Sequence, residues 1–408
     1  MKKILLISII LNISTLLMAA NDTIPKEIYG VERVSYYNEH ARQILDTDPE
    51  KSRELAIAAM NLAEALNDYE GLSNALNYIG LTFYNQENYG DAIKHFQQSL
   101  RVSLRLGARD RVGNIFQKIG MSYLHLKDYQ KAIFYYEQTA KVFEQLDYSD
   151  HLAKTQFELG VVYFLAHEYS NAINALSNSV ENYAKIENLR GKAQAYNQLG
   201  MTYEAMGNLR KSLTFFQQAL EVHHTFSNRD HLAFVLNNMG RIYTKLKMLN
   251  EADDVLENAV KYCSSSYVGL FAEIKLNQGI VAYKRNNYNM SETLYNQAHQ
   301  IADSMNNRIL LNKIYESYYD LFRATKNSEK ALKYYQLYIA SKSETFAKEE
   351  VVSSVDYQHV GDDVEHVYLT VISFLAVGLL LMIWVNIRLR RKANRAMEII
   401  EEHNLIIK

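Results

Sequence analysis

The residues of this chain best equipped for metal binding or nucleophilic catalysis are twelve histidines and one cysteine, Cys263. Their spacing supports neither chemistry. The sequence holds no His-Glu-x-x-His pair, no Cys-x-x-Cys, no Gly-x-Ser-x-Gly elbow and no glycine-rich phosphate loop. A single cysteine also excludes an intramolecular disulfide framework and a multi-cysteine zinc site. His223 and His224 read as surface histidines, and Cys263, beside three serines, as a half-buried small residue. Asp362, Asp363 and Glu365 read as a membrane edge rather than a calcium site. The expectation is a protein that is not an enzyme and takes no metal or cofactor.

The elements that carry the other side chains are announced by composition. Thirty-one tyrosines accompany two prolines, Pro25 and Pro49, so residues 50 to 408 contain no proline. A stretch without the usual helix breaker argues against a loop-rich sandwich or barrel. Apolar residues make up 48% and charged residues 22%, a folded composition. A formal charge of -2 without a basic domain leaves nucleic acid no electrostatic footprint, and none is expected as a partner.

Lys2 and Lys3 lead into an apolar run, Ile4 to Met18, that closes on Ala19 and Ala20. This is the pattern of a secretory signal peptide over residues 1–20, with an uncleaved anchor as the alternative; a linker, 21–30, follows. A second apolar run, His366 to Ile387, has 22 residues without Lys, Arg, Asp or Glu. At about 1.5 Å per residue it covers roughly 33 Å, against a bilayer core of about 30 Å. Residues 366–387 are therefore read as a transmembrane helix, preceded by a juxtamembrane segment, 352–365. Arg388, Arg390, Arg391, Lys392 and Arg395 follow it, so the positive-inside bias puts the C-terminus in the cytoplasm of a bacterium and the body of the chain in the periplasm. Without the leader and the residues after Ile387, that body keeps 36 basic against 43 acidic residues. Anionic lipid is not expected to bind it.

The middle of the chain repeats. Gly80, Gly120, Gly160, Gly200 and Gly240 stand in strict 40-residue register, and Gly279 is one residue early. Three residues after the first five come Phe83, Tyr123, Tyr163, Tyr203 and Tyr243; twelve after come small residues such as Ala92 and Ala132. Sixteen after come bulky ones, Phe96, Tyr136, Leu176, Phe216, Leu256 and Tyr295. Apolar steps of three and four on both sides of a short polar break describe two antiparallel amphipathic helices, which bury their faces only by stacking. The glycine allows close approach within a pair, and the tyrosines are expected to wedge between successive pairs.

These positions resemble the tetratricopeptide repeat, over about 320 of 408 residues. Forty residues exceed the archetypal period of about 34, as if each helix gained a turn. The register degenerates at both ends, where Tyr319 stands in the glycine position and Asp48-Pro49 opens a helix without a preceding glycine. The resemblance implies an all-α, right-handed superhelical solenoid of about eight two-helix repeats over 31–351, its concave face lined by the first helix of each pair. It also implies ligand-facing slots six and three residues before the glycine and one, four and five after it. Those slots hold Asn74, Asn77 and Leu81; Asn114, Gln117 and Met121; Phe157; Gln194, Asn197 and Met201; and Asn237 and Arg241. Carboxamides pair with a peptide backbone and Met, Phe and Leu accept apolar side chains, so the implied partner is a protein or peptide in the groove. No cationic clamp for a C-terminal carboxylate is evident in these slots.

Leu389, Ala393, Ala396, Ile400, His403 and Ile407 then trace a seam of alternating four- and three-residue steps over 388–408. Such a cytoplasmic helix allows pairing with a second copy, a homodimer through the membrane and cytoplasmic helices. The whole order resembles membrane-bound bacterial sensors in which exported repeats feed a histidine kinase or nucleotide cyclase, without the output domain. The expectation is a non-enzymatic, membrane-anchored interaction module that senses a ligand or peptide in signal transduction, the alternative being a membrane-tethered assembly scaffold.

Overall fold

A computed structural model describes residues 28–225 and 229–355. The chain divides into two units, residues 1–345 and 346–408, and the repeats belong to the first. Among the described residues there are sixteen α-helices and no strand. They run as hairpins: α1 (Gly30–Ile44) with α2 (Pro49–Leu66), α3 (Tyr69–Asn85) with α4 (Tyr89–Leu106), α5 (Arg109–His125) with α6 (Tyr129–Gln145), and α7 (Ser149–Leu165) with α8 (Tyr169–Lys185). Then follow α9 (Leu189–Ala205) with α10 (Leu209–Thr225), α11 (Arg229–Lys245) with α12 (Leu249–Tyr262), α13 (Val268–Lys284) with α14 (Tyr288–Ser304), and α15 (Arg308–Ala324) with α16 (Ser328–Val355). The odd-numbered member of each pair is the A helix and the other the B helix. Each helix packs on the one before and the one after it, the arrangement of a solenoid.

Local chemistry sets the punctuation. Side chains of Asp48, Asp68, Asn88, Asp128, Asn188, Asn287 and Asn307 accept a hydrogen bond from the backbone N–H three residues on, each opening a helix. Just before most of these caps the chain turns through a left-handed residue, such as Asn67, Glu87 or Lys127, with φ between 55° and 60°. Pro49 takes the first helical position of α2, where its missing N–H costs nothing.

The glycine register has a steric cause. A Cβ on Gly80 or Gly200 would lie 2.6 Å from the ring of Phe96 or Phe216, and one on Gly160 or Gly240 would lie 2.5 Å from Leu176 or Leu256. The bulky residue sixteen positions on thus sits against the bare backbone of its own A helix, fully buried in all four pairs. The aromatic three residues after the glycine does two things. It stacks on the B helix of its own pair, with ring separations of 5.4 Å for Phe83–His95, 5.6 Å for Tyr123–Tyr135 and 5.2 Å for Tyr203–Phe215. Tyr123 also packs against the core of the preceding pair, around Ile93 and Phe96. At the last pair Tyr319 leaves no room for an inserted ring. There Tyr335 stays 44% exposed, and Tyr334 fills the space by stacking on Tyr318 at 4.3 Å and on Phe322 at 5.5 Å.

Two expectations are corrected. Among the described residues no helix is long and apolar enough to cross a membrane. That finding overturns the placement in a bacterial inner membrane with a periplasmic array. The apolar residues of these helices form stripes packed on neighbouring helices, with polar residues between them, rather than all-round apolar cylinders. The proposed leader 1–20, span 366–387 and helix 388–408, with the dimer seam they carry, lie outside the described residues. Secondly, His223 is not at the surface: it is 1% exposed, its ring 5.3 Å from that of His231. Its position on α10 turns it toward the next A helix.

Candidate functional site

The twelve predicted slot residues lie on five successive A helices, α3, α5, α7, α9 and α11. Several of their carboxamides are already engaged, in a pattern that repeats. The residue three positions before a glycine meets the residue two positions before the next one. Lys118 Nζ donates to Asn77 Oδ1 at 2.6 Å, and Gln117 Nε2 donates to Glu158 Oε2 at 2.8 Å. Asn238 Nδ2 donates to Asn197 Oδ1 at 3.1 Å, and Asn277 Nδ2 donates to Asn237 Oδ1 at 2.8 Å. The first three pairs are 41 residues apart and the last 40, because Gly279 comes one residue early. These bonds tie neighbouring rungs together and hold the face in shape, which spares a ligand some of the ordering cost.

The remaining slots stand between these ties. Asn74 lines a recess of about 210 Å³ with Asn38, Glu70 and Tyr78. Asn114, Phe157 and Gln194 are half-buried. Leu81 packs against the Phe96 core, Met121 against the Tyr136 core and Met201 against the Phe216 core, each with part of its surface open. Asn197 also points its amide at Met201 Sδ, 3.7 Å away. Asn237 is only 2% exposed and acts chiefly as a tie. Toward the A–B turns the first pairs present rings: His125 stacks on Tyr89 at 4.7 Å and meets Tyr84 edge-on at 5.4 Å.

Farther along, the face becomes ionic. Glu204, with a side chain 7% exposed, accepts from Arg241 and from Lys245, both at 2.7 Å. Arg241 also donates to Asn238 Oδ1 at 3.0 Å. Beside them opens a cleft of about 530 Å³ lined by Arg241, Thr244, Lys245, Lys247, Leu249, Asn277, Ile280 and Lys284. Sequence reasoning missed Lys118, Glu158, Asn238 and Asn277, the partners in the ties. The available signal was a polar residue recurring two positions before the glycine. It also missed Lys247 and Lys284, one in a turn and the other in the unit whose glycine is out of register.

Charge buried on this face is costly. Burial pushes the Lys118 ammonium down to about 8 and pushes the Glu158 carboxyl above the usual range, against smaller opposing effects of Gln117 and Lys154. A carboxyl raised in the folded state favours folding below its ordinary value of 4.5, and that contribution is lost as pH rises through the raised value. Glu158→Gln keeps an acceptor for Gln117 and removes the desolvated charge. We expect its urea midpoint to exceed that of the parent at pH 7 and the gap to close at pH 4. A parent equally stable at pH 7 sinks this account.

The folded class follows from the rungs, and comparison agrees with it. Residues 72–106, 111–185 and 191–264 match the tetratricopeptide repeat family, so those stretches of the all-helical solenoid are tetratricopeptide repeats. Among solved structures it is similar to the apo form of the quorum sensor NprR from B. thuringiensis, at 15% identity and a TM-score of 0.60 over 81% of this chain and 92% of that one. It is also similar to aspartyl phosphate phosphatase F from Bacillus subtilis, at 13% identity and 0.59 over 81% and 88%. A Rap protein complexed with competence and sporulation factor matches at 13% and 0.52 over 83% and 92%. At such identities the likeness is one of fold. No curated protein matches the sequence. Among the described residues no group of three or more His, Cys, Asp or Glu side chains could hold a metal ion.

Proposed function

We propose that this protein is a peptide receptor module, binding an extended peptide along the A-helix face and passing its occupancy to a partner protein. The observation that carries this reading is the alternation on that face of pre-tied amides with partly open apolar side chains, Leu81, Met121 and Met201. Amides accept and donate to a peptide backbone while the apolar sites receive its side chains. The similarity in fold to a quorum sensor and to a Rap protein solved with competence and sporulation factor supports a receptor role.

The test uses the full chain and a synthetic pool of short randomised peptides, with retained peptides quantified by mass spectrometry. Met121→Glu and Met201→Glu place charge at two rungs and are expected to lower retention about tenfold or more. Lys141→Glu, on the exposed side of a B helix, leaves retention unchanged. Retention that survives both methionine changes refutes the reading.

A further inference from the structure

We infer that the cleft between α11, α12 and α13 seats a carboxylate of the bound peptide, so that the array selects acidic peptides; the inference rests on the peptide-binding reading above. Four cations converge there, Arg241, Lys245, Lys247 and Lys284, over an apolar floor of Leu249 and Ile280, and no acidic side chain lines the volume of about 530 Å³. Glu204 is not among the lining residues. It accepts from Arg241 and Lys245 at 2.7 Å each and so competes with an entering carboxylate for these two, yet its single negative charge offsets only part of the four. Among the described residues neither Lys247 nor Lys284 has a carboxylate partner. Lys247 is held in a left-handed turn with φ 62°, its N–H bonded to the Thr244 carbonyl at 3.2 Å. Lys284 sits over the Tyr283 ring at 5.6 Å, a contact that leaves the ammonium open to an anion.

Like charges gathered around an empty cleft repel one another, and an entering carboxylate relieves that repulsion while gaining charge-assisted hydrogen bonds. A neutral amide of the same shape gains neither. The apolar floor favours an acidic residue flanked by aliphatic ones. The first pairs, by contrast, present Tyr84, Tyr89 and His125 at the corresponding level, so selection for acid is confined to one stretch of the groove.

The experiment incubates the full chain with the randomised peptide pool and reads the composition of the retained fraction. Expected is an enrichment of Asp and Glu over the input, weakening as salt is raised. The double variant Lys247→Glu, Lys284→Glu, which touches none of the ties and whose fold is checked by circular dichroism, is expected to abolish that enrichment while still retaining neutral peptides. A pool with amidated C-termini separates the two sources of a carboxylate: Asp and Glu enrichment that persists supports an acidic side chain in the cleft, and enrichment lost on amidation overturns it. Retained peptides without acidic enrichment, or enrichment indifferent to the double variant, overturn this inference and leave the proposed function standing. Retention of no peptide at all overturns both.

Discussion

Phe216→Ala is expected to lower the free energy of unfolding by about 3–5 kcal/mol, the cost of a deleted buried ring plus the cavity it leaves. The ring is fully buried and lies against the backbone of Gly200, where even a Cβ would come within 2.6 Å of it. The partner change follows from the same contact. Gly200→Val forces three carbons into space that one ring edge already fills, and is expected to cost about 1–3 kcal/mol. Combined in one chain, the two changes are expected to cost less than their sum, with a coupling of about 0.5–3 kcal/mol, because the valine then occupies part of the vacated volume. Urea midpoints of the parent, both single variants and the double variant measure this. Strict additivity contradicts the glycine–ring account of the 40-residue register. Since stability in a solenoid is carried by each repeat and its contacts with neighbours, hydrogen exchange should show the loss concentrated in α9, α10 and the helices beside them.

Glu204→Ala is the second change with a large expected effect. Its carboxylate is nearly enclosed, while Arg241 and Lys245 are 36% and 49% exposed. Breaking a wholly buried pair costs about 3–5 kcal/mol; two cations that keep partial access to water reduce the expected loss to about 1–2 kcal/mol. Half a molar salt should narrow the difference between parent and variant, because part of it is repulsion among the uncovered cations. A functional consequence runs the other way. With Glu204 gone, Arg241 and Lys245 lose their internal competitor, so retention of acidic peptides is expected to rise even as stability falls. A variant that loses stability and acidic retention together, with its circular dichroism unchanged, shows that Glu204 positions the cleft rather than competing for it.

The two predictions separate what lies in the register from what lies across it. The 40-residue glycines and the bulky residues sixteen positions later are local to one hairpin, and helix periodicity alone places them face to face. The pairing of Gly200 with Phe216 was therefore legible in the sequence, as were the amphipathic helices, the Asp48-Pro49 opening and the degenerate unit at Tyr319. The apolar run at 366–387 lies outside the described residues, and among the described helices none is long and apolar enough to support the membrane placement drawn from it.

Contacts between units depend on how far each hairpin rotates on the last, and no sequence period encodes that rotation. Asn77 and Asn197 read as open ligand slots, whereas stacking brings Lys118 and Asn238 against them. Stacking carries Arg241 and Lys245 to Glu204 from the next A helix, 37 and 41 residues away. Lys247 and Lys284 come from a turn and from a unit out of register, and only the packed array gathers them with Arg241 around one cleft. The sequence by itself determined the repeating hairpin and its buried rungs, because those follow from side-chain size at fixed helical spacing. The tertiary structure decided which polar side chains stay available to a ligand, because that depends on the charge and hydrogen-bond partners the neighbouring repeat supplies.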